Sequence, residues 1–296
     1  MKLIPGPTSI KLGERIAENL ELTPCDIKHR IFPDGESYIK LPKNLKGETV
    51  AIVQSTSPNP DKSLLQLFFM VSTARDLGAE KIIALVPYLS YARQDRRFLE
   101  GESLSLQVVI DLLESSGANE LVVVDIHNEA SLKRIVDSKT IQAHNLSAIP
   151  LVASELKRIG YEGAYSLSPD EGAIKLVRSA ATVLEGGSGY FFKKRDRITG
   201  EIVLTASDVE VQDRKAVVFD DIISSGGTMS KAVQALKTQG ASEVAAVCTH
   251  ALFMEGAENR IKKAGADLIL SSDTIETKWS KVTVAGLLAD YLRTHL

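Results

Sequence analysis

Four times along the chain, a Gly-Ala pair stands between a helix-like segment and a run of apolar, β-branched residues. The four pairs are Gly78-Ala79, Gly117-Ala118, Gly240-Ala241 and Gly265-Ala266. A glycine can end a helix in the left-handed conformation, and a strand that is apolar throughout is buried on both faces. The pattern therefore predicts an α/β protein with mostly parallel sheets that are flanked by helices.

Two of these helix–strand units lie in each half of the chain, on either side of a polar stretch around Gln142 to Asn145. A chain of 296 residues is also long enough for two domains. We expect an N-terminal domain over residues 1–145 and a C-terminal domain over residues 146–282. The last segment, about 283–296, has helical periodicity and is free to pack back on the first domain.

Charge and composition exclude several classes of protein. The 35 Lys and Arg residues against 38 Asp and Glu residues give a net charge of −3, so the chain has no global positive field for a nucleic-acid backbone. Cys25 and Cys248 lie far apart without zinc-ligand spacing, which excludes a disulfide framework and fits a reducing compartment. Because no run of about 18 apolar residues occurs, we expect a cytoplasmic protein without nucleic-acid or membrane partners.

The strand-like segment 215–221 ends in two carboxylates, Asp220 and Asp221, and a helix follows from about Met229. The loop between them consists of small residues, namely Ser224, Ser225, Gly226, Gly227 and Thr228. Open α/β sheets bind ligands at the carboxyl ends of their strands, and amides at a helix N-terminus can hold a phosphate monoester. The carboxylates could accept hydrogen bonds from ribose hydroxyls. The alternative is an ordinary turn with an acidic N-cap. The chain contains neither a Walker A sequence nor GxGxxG.

Three other segments carry polar groups next to apolar runs. Residues 91–97 offer three arginines and a glutamine, which suit a polyphosphate, although a solvated loop with internal Arg-Asp pairs is the alternative. Asp125 and His127 alternate at the end of an apolar run, so we expect them to share one strand face; a lone His is nevertheless more often structural. Residues 193–197 hold four cations, and a solvated hairpin turn is the alternative to an anion site.

Several of these segments resemble the ribose-phosphate diphosphokinase (PRPP synthetase) family, which has the type I phosphoribosyltransferase fold. The similar segments are FPDGESY (32–38), PYLSYARQDRRFLEGESLS (87–105), VVVDIH (122–127) and VVFDDIISSGGTM (217–229). The chain length and the short RQDRR segment are more similar to archaeal-type members. The resemblance implies two similar phosphoribosyltransferase-like domains. It also implies transfer of diphosphate from ATP to ribose 5-phosphate, which gives PRPP and AMP for nucleotide biosynthesis.

The resemblance assigns the ATP contacts to the first half of the chain. It implies that Arg93, Gln94 and Arg96 contact ATP. It further implies that Phe32, Asp34 and Glu36 contact adenine and ribose from a neighbouring subunit, although residues 32–36 by themselves look like a Pro-Asp-Gly turn. We therefore expect a homo-oligomer, a dimer or larger, with the ATP site near a subunit interface.

The remaining roles implied by the resemblance concern the sugar, the metal and the transferred group. Asp220, Asp221 and residues 224–228 would bind ribose 5-phosphate. His127 and Asp170 would be linked to Mg²⁺, and the backbone of residues 170–172 would hold the diphosphate end. Since Mg²⁺ prefers oxygen ligands, the assignment of His127 as a direct ligand rests on the resemblance alone.

The basic segment is the catalytic candidate. Family members have a mobile loop here, with a Lys-x-Arg pair that closes over the reacting phosphates. Lys193 and Arg195 match that spacing, and the run also allows Lys194 with Arg197 after a one-residue slip.

Two alternative functions stay open at this point. A phosphoribosyltransferase would use the same ribose-phosphate loop but would consume PRPP and would not need an ATP site. A regulatory PRPP-synthetase-associated protein would keep the fold and lose the catalytic residues.

Overall fold

The computed structural model of the chain describes residues 1–195, 202–206, 211–254 and 256–295, with the backbone alone for Glu171, residues 192–195 and residues 202–206. The chain forms two compact units. The first unit contains Met1–Leu146 together with Thr283–Leu296, and the second contains Ser147–Val282. Among the helices of the described residues, none combines the length and the apolar content that a membrane span requires.

The first unit is built around a parallel sheet with helices on both faces. Its strands are β1 (Lys2–Pro5), β2 (Lys28–Ile31), β3 (Ser37–Lys40), β4 (Thr49–Val53), β5 (Lys81–Val86), β6 (Glu120–Val124) and β7 (Gln142–Leu146). Its helices are α1 (Ile10–Asn19), α2 (Pro60–Asp76), α3 (Ser105–Ser116), α4 (Glu129–Val136) and α9 (Ala285–Thr294). The sheet has the order β1-β4-β5-β6-β7, while β2 and β3 form a separate antiparallel pair.

Successive residues along the strands of the first unit point to opposite faces of the sheet, and both faces are covered. Ile52 and Val123 belong to one buried cluster together with Leu67 of α2 and Ile110 of α3. Their strand neighbours are buried as well, and α1 packs against β1, β4 and α9. The apolar runs of the sequence therefore form strands between two layers of helix.

The second unit has a larger sheet of the same kind. Its strands are β8 (Tyr165–Ser168), β9 (Ser188–Arg195), β10 (Ile202–Ala206), β11 (Lys215–Ile223), β12 (Glu243–Ala251), β13 (Leu268–Ser272) and β14 (Ser280–Val282). Its helices are α5 (Ile149–Leu156), α6 (Ile174–Leu184), α7 (Gly227–Thr238) and α8 (Ala257–Lys263), with a π-type segment Lys157–Tyr161 and a 3₁₀ turn Glu171–Ala173. The order is β10-β9-β8-β11-β12-β13-β14, and only the β9–β10 pair among the described strand pairs of this sheet is antiparallel.

The two faces of this sheet are filled by successive residues of β11. Val218 packs in a cluster with Val233 of α7 and Ile261 of α8. Phe219 packs on the other face in a cluster with α5 and α6 residues. The predicted α/β class with mostly parallel, helix-flanked sheets is therefore confirmed, and the glycine of each Gly-Ala pair has a positive φ, for example 114° at Gly117.

Local structure differs from the sequence expectations at three places. Helix α7 begins at Gly227 and not near Met229, because Gly226 with φ 73° is its N-cap. Strand β6 ends at Val124, and Asp125 has φ 39°. The expected alternation of Asp125 and His127 along a strand is therefore wrong, since the chain turns between them. The backbone of residues 193–195 lies in β9, which pairs with β10, rather than in a loop.

Candidate functional site

The carboxyl edge of the second sheet gathers three carboxylates. Asp220 and Asp221 lie near the end of β11, and Asp170 follows the neighbouring strand β8 by two residues. Burial raises the pKa of Asp220 well above its usual range, and the charges of Asp221 and Asp170 raise it further. A site of this kind is stabilised by a cation or by hydrogen-bond donors that approach the carboxylates.

Backbone amides hold part of this carboxylate pair in place. The amide of Asp221 donates to Asp220 Oδ1 over 3.0 Å, and the amide of Ile222 donates to Asp221 Oδ1 over 2.8 Å. Each carboxylate retains acceptor capacity, because a carboxylate has about four lone-pair positions.

The loop after β11 is held from one side by the segment that follows β12. The amide of Phe253 donates to Ile223 O and the amide of Met254 donates to Ser224 O, both over 3.0 Å. Arg260 of α8 donates through Nη1 to Ser225 O. Three successive carbonyls, those of residues 223–225, thus point towards one segment of chain.

The amides of the same peptide units must point the other way. In a trans peptide the carbonyl and the next N–H are antiparallel, so the N–H groups of Ser224, Ser225 and Gly226 face away from the 253–260 segment. None of the hydrogen bonds formed among the described residues uses these three N–H groups. Helix α7 follows without a side-chain cap. Successive convergent amides before a helix N-terminus form an anion-binding concavity.

The turn at Asp170 is closed by its own hydrogen bonds. Ser168 Oγ donates to Asp170 O over 2.5 Å, and the amide of Gly172 donates to Asp170 Oδ1 over 3.0 Å. The Asp170 side chain is exposed. The Gly172 amide is therefore engaged, so binding a diphosphate there would require it to exchange acceptors.

A buried polar network at the ends of β12 and β13 was missed by the sequence reasoning. His250 Nδ1 lies 2.9 Å from Thr274 Oγ1, which donates to Thr249 O over 2.9 Å. Ser272 Oγ donates to the same carbonyl over 2.7 Å. The segments near residues 249 and 271 resemble those of the family, but the local signal for the network was only the density of hydroxyl residues after the apolar run 268–270.

In the first unit, the arginine-rich segment follows β5 and is anchored by its aspartate. Asp95 is buried, and its Oδ2 accepts hydrogen bonds from Asn128 Nδ2 over 2.6 Å and from Ser131 Oγ over 2.7 Å. Arg93 and Arg96 are exposed, and Arg96 lies over the Phe98 ring at 4.8 Å. The donors to the Asp95 carboxylate are therefore Asn128 and Ser131, and not the neighbouring arginines as in the alternative of a solvated loop with internal Arg-Asp pairs.

A cavity of about 460 Å³ adjoins this segment in the first unit. Its lining includes Arg96, Arg97, Arg134 and Lys139, together with Asp95. Lys139 is paired with Asp111 and lies 3.7 Å from Glu114. The guanidinium groups of Arg96, Arg97 and Arg134 give this cavity a positive character that suits phosphate oxygens.

The turn between β2 and β3 carries the other predicted ATP contacts. The amide of Phe32 donates to Glu36 O over 2.8 Å, the amide of Glu36 donates to Asp34 Oδ1 over 3.1 Å, and Gly35 has φ 95°. Asp34 and Glu36 are exposed. Among the described residues, no hydrogen bond or ion pair joins this turn to Arg93, Gln94 or Arg96 of the same chain.

Arg30 was not predicted as part of this turn. Its guanidinium lies 4.6 Å from the centre of the Phe32 ring and 4.8 Å from that of Tyr38. Nothing in the sequence pattern separates Arg30 from an ordinary strand residue, because the contact arises from the pairing of β2 with β3.

The residues predicted to be linked to metal lie in different units, His127 in the first and Asp170 in the second. His127 is exposed and precedes Asn128, whose side chain accepts from the Ser131 amide over 3.1 Å and so caps α4. Within the described part of the chain, no three His, Cys, Asp or Glu side chains form a metal-binding group. A single carboxylate such as Asp170 fits Mg²⁺, because this ion is usually held by one or two carboxylates together with waters and substrate phosphates.

The predicted catalytic cations are described only in part. The backbone of Lys193 and Arg195 lies in β9, and the side chains of Lys193, Lys194 and Arg195 fall outside the described residues, as does Arg197. Their roles therefore stay predictions.

Comparison with known proteins gives consistent matches in both halves of the chain. Residues 1–117 match the model of the N-terminal domain of ribose phosphate pyrophosphokinase, and residues 166–286 match that of the phosphoribosyl transferase domain. A ribose-phosphate pyrophosphokinase of Sulfolobus acidocaldarius is 38% identical over 288 residues, covering 97% of both chains. One of Methanothermobacter thermautotrophicus is 36% identical over 292 residues, covering 98% of this chain and 99% of that protein.

A solved structure has the same fold throughout. The phosphoribosylpyrophosphate synthetase of Mycobacterium smegmatis superposes with a TM-score of 0.87 at 24% identity, over 99% of this chain and 97% of the other. At this identity the likeness establishes the fold of both units.

Proposed function

The chain belongs to the ribose-phosphate pyrophosphokinase family, and on this premise we propose how its own strand-end residues perform the family's reaction. The enzyme transfers diphosphate from ATP to the anomeric hydroxyl of ribose 5-phosphate, which gives 5-phospho-α-D-ribose 1-diphosphate (PRPP) and AMP. The observation that carries the proposal is that the carbonyls of residues 223–225 all accept from the 253–260 segment. The amides of residues 224–226, shortly after the Asp220-Asp221 pair, therefore face the other way.

Ribose 5-phosphate binds to the loop after β11. The N–H groups of Ser224, Ser225 and Gly226, with Gly227 and Thr228 at the start of α7, hold the 5-phosphate. Asp220 and Asp221 accept hydrogen bonds from the ribose hydroxyls. Hydroxyl donors that approach these carboxylates stabilise their charged forms, and so oppose the burial and the neighbouring charges that raise the pKa of Asp220.

ATP binds to the arginine-rich segment after β5, where Arg93, Gln94 and Arg96 contact it. Phe32, Asp34 and Glu36 reach the adenine and ribose from a neighbouring subunit, so the active assembly is at least a dimer. Two observations support this arrangement. Asp34 and Glu36 are exposed. Among the described residues, neither forms a hydrogen bond with Arg93, Gln94 or Arg96 of the same chain.

Mg²⁺ is the expected metal, and it neutralises negative charge on the polyphosphate when bound. Asp170 is the carboxylate that would hold it, with His127 as the second predicted contact. An exposed carboxylate beside two others suits an ion that keeps several waters.

Catalysis depends on alignment and positive charge. The anomeric oxygen attacks the β-phosphorus of ATP, the bond from that phosphorus to the α,β-bridging oxygen breaks, and the hydroxyl proton is released. No side chain needs to form a covalent intermediate, because holding the two reactants in line lowers the barrier. Lys193 and Arg195 donate to the phosphate oxygens as charge develops on them.

Product analysis tests this function directly. The purified chain is incubated with ATP, Mg²⁺ and ribose 5-phosphate, and the nucleotides are resolved. Equal amounts of AMP and PRPP are expected. ADP as the nucleotide product, or no turnover at all, would contradict the proposal. A base-dependent consumption of PRPP without any use of ATP would indicate a phosphoribosyltransferase instead.

A further inference from the structure

Arg260 lies behind the phosphate-binding loop, on helix α8, and is exposed. Its Nη1 donates to Ser225 O, so one guanidinium is bonded to the central peptide of the loop. Sequence spacing gives no hint of this contact, because Arg260 lies 35 positions after Ser225.

The peptide between Ser225 and Gly226 leads into a residue in the left-handed conformation. Gly226 has φ 73°. A Cβ at this position would lie 3.1 Å from Ala257 O and 3.2 Å from the Ile261 side chain. Helix α8 therefore packs directly against the loop, and Arg260 holds the carbonyl on that side.

The direction of this carbonyl decides what a phosphate would meet. With Ser225 O bonded to Arg260, the N–H of Gly226 points away from α8. A rotated peptide would instead place a carbonyl oxygen, which carries partial negative charge, beside the anion. The guanidinium stays charged when it donates to Ser225 O, so it also places positive charge next to the loop.

We infer that Arg260 is a positioning residue for ribose 5-phosphate, which acts by fixing the Ser225–Gly226 peptide so that its N–H group meets the 5-phosphate. This inference rests on the proposed binding of ribose 5-phosphate at residues 224–228. It concerns the affinity for the sugar phosphate and not the chemistry of transfer.

Steady-state kinetics and calorimetry test the inference. Arg260→Ala is expected to raise the KM and the Kd for ribose 5-phosphate about tenfold, the scale of one lost hydrogen bond from a charged group. The KM for ATP and the kcat are expected to change by less than about twofold, because an interaction made equally in the ground and transition states affects KM alone. Arg260→Lys, which keeps the charge, should recover part of the affinity.

Lys263→Ala is the matched control. It removes one exposed cation from the same helix and should leave both KM values unchanged. If the alanine variant at 260 does not fold, Arg260→Gln, which keeps a donor on a shorter side chain, is measured in its place and should raise the KM for ribose 5-phosphate by a smaller factor.

Several outcomes would overturn the inference. One is a lower thermal midpoint with an unchanged KM for ribose 5-phosphate, which would indicate a purely structural Arg260. Another is an equal rise of the KM values for both substrates in Arg260→Ala. A third is a rise of the KM for ribose 5-phosphate in Lys263→Ala that equals the rise in Arg260→Ala. Asp221→Ala separates this failure from failure of the proposed function. If Asp221→Ala weakens the binding of ribose 5-phosphate while the Arg260 variants do not, only the role of Arg260 is wrong.

Discussion

Asp220 is the residue whose ionisation should influence the fold most directly. Burial and the charges of Asp221 and Asp170 raise its pKa. The folded chain therefore keeps this proton at pH values where the unfolded chain has lost it, and stability falls as the pH rises from about 4 through the raised pKa. Asp220→Asn removes the charge and should therefore remove this fall in stability with rising pH.

The expected result is a higher thermal midpoint for Asp220→Asn near pH 7.5, measured without substrates or Mg²⁺. A gain on the order of 1 kcal/mol would shift the midpoint by about 2–4 °C in a domain of this size. Near pH 4 the two proteins should unfold together. Asp170→Asn, at an exposed carboxylate, should give a smaller gain. A midpoint for Asp220→Asn below that of the wild type at neutral pH would contradict the explanation.

Lys193 is the residue on which the rate of transfer should depend. Lys193→Ala should lower kcat by about a hundredfold or more, the scale of a lost transition-state donor, while both KM values change little. Lys194→Ala is the control. If Lys194→Ala loses activity and Lys193→Ala keeps it, the predicted register is wrong by one residue. If both variants stay fully active, the basic segment has no catalytic role.

At the scale of elements, the junction between β11 and α7 depends on Gly226. A side chain at φ 73° is strained, and its Cβ would meet Ala257 O at 3.1 Å. Gly226→Ala should therefore destabilise the chain by about 1–3 kcal/mol. Gly227→Ala is the matched control for stability, because a Cβ there would lie 3.8 Å from Ser225 Oγ and helix propensity favours alanine.

Thermal unfolding of the two variants checks this prediction. The midpoint should fall for Gly226→Ala and stay constant or rise for Gly227→Ala. Equal midpoints for the two variants would show that α8 moves to accommodate the side chain at 226.

Elements were predictable from sequence where burial dictates the pattern, and side-chain networks were not. The run 215–221 could be assigned to a strand because both of its faces are covered, by Val218 on one side and Phe219 on the other. The end of β6 was misplaced because local alternation does not reveal the turn at Asp125, where φ is 39°. Pairing of Asp95 with its arginine neighbours was an alternative that the sequence left open, yet Asp95 Oδ2 accepts from Asn128 and Ser131, which are more than 30 residues away.

The same limit applies to the candidate site. Asp220, Asp221 and residues 224–228 stand together in the sequence, so the spacing alone indicated a phosphate site. Arg260 and the 253–254 amides reach the loop only through the pairing of β11 with β12 and the packing of α8. Contacts of this kind depend on tertiary structure, which a single sequence does not encode in its local pattern.

At the scale of the whole molecule, the first unit has an apolar surface that suits a second copy of the chain. Leu65 and Phe69 are one helical turn apart on α2, and Val108 and Leu112 are one turn apart on α3. These four side chains are 49%, 39%, 49% and 48% exposed, and α2 packs against α3. Paired exposed apolar stripes on neighbouring helices are typical of an interface between protein copies.

We therefore expect the wild-type chain to sediment as a dimer or a larger assembly. Phe69→Glu should shift it towards smaller species, because a charge would be buried in the interface. It should also raise the KM for ATP if Phe32, Asp34 and Glu36 contact ATP on the neighbouring subunit, as proposed. Ile159→Glu, at a side chain of the second unit that is also 39% exposed, is the control. It should leave the size of the assembly and the KM for ATP unchanged. A wild-type chain that is monomeric and fully active in sedimentation and kinetic measurements would refute the shared ATP site.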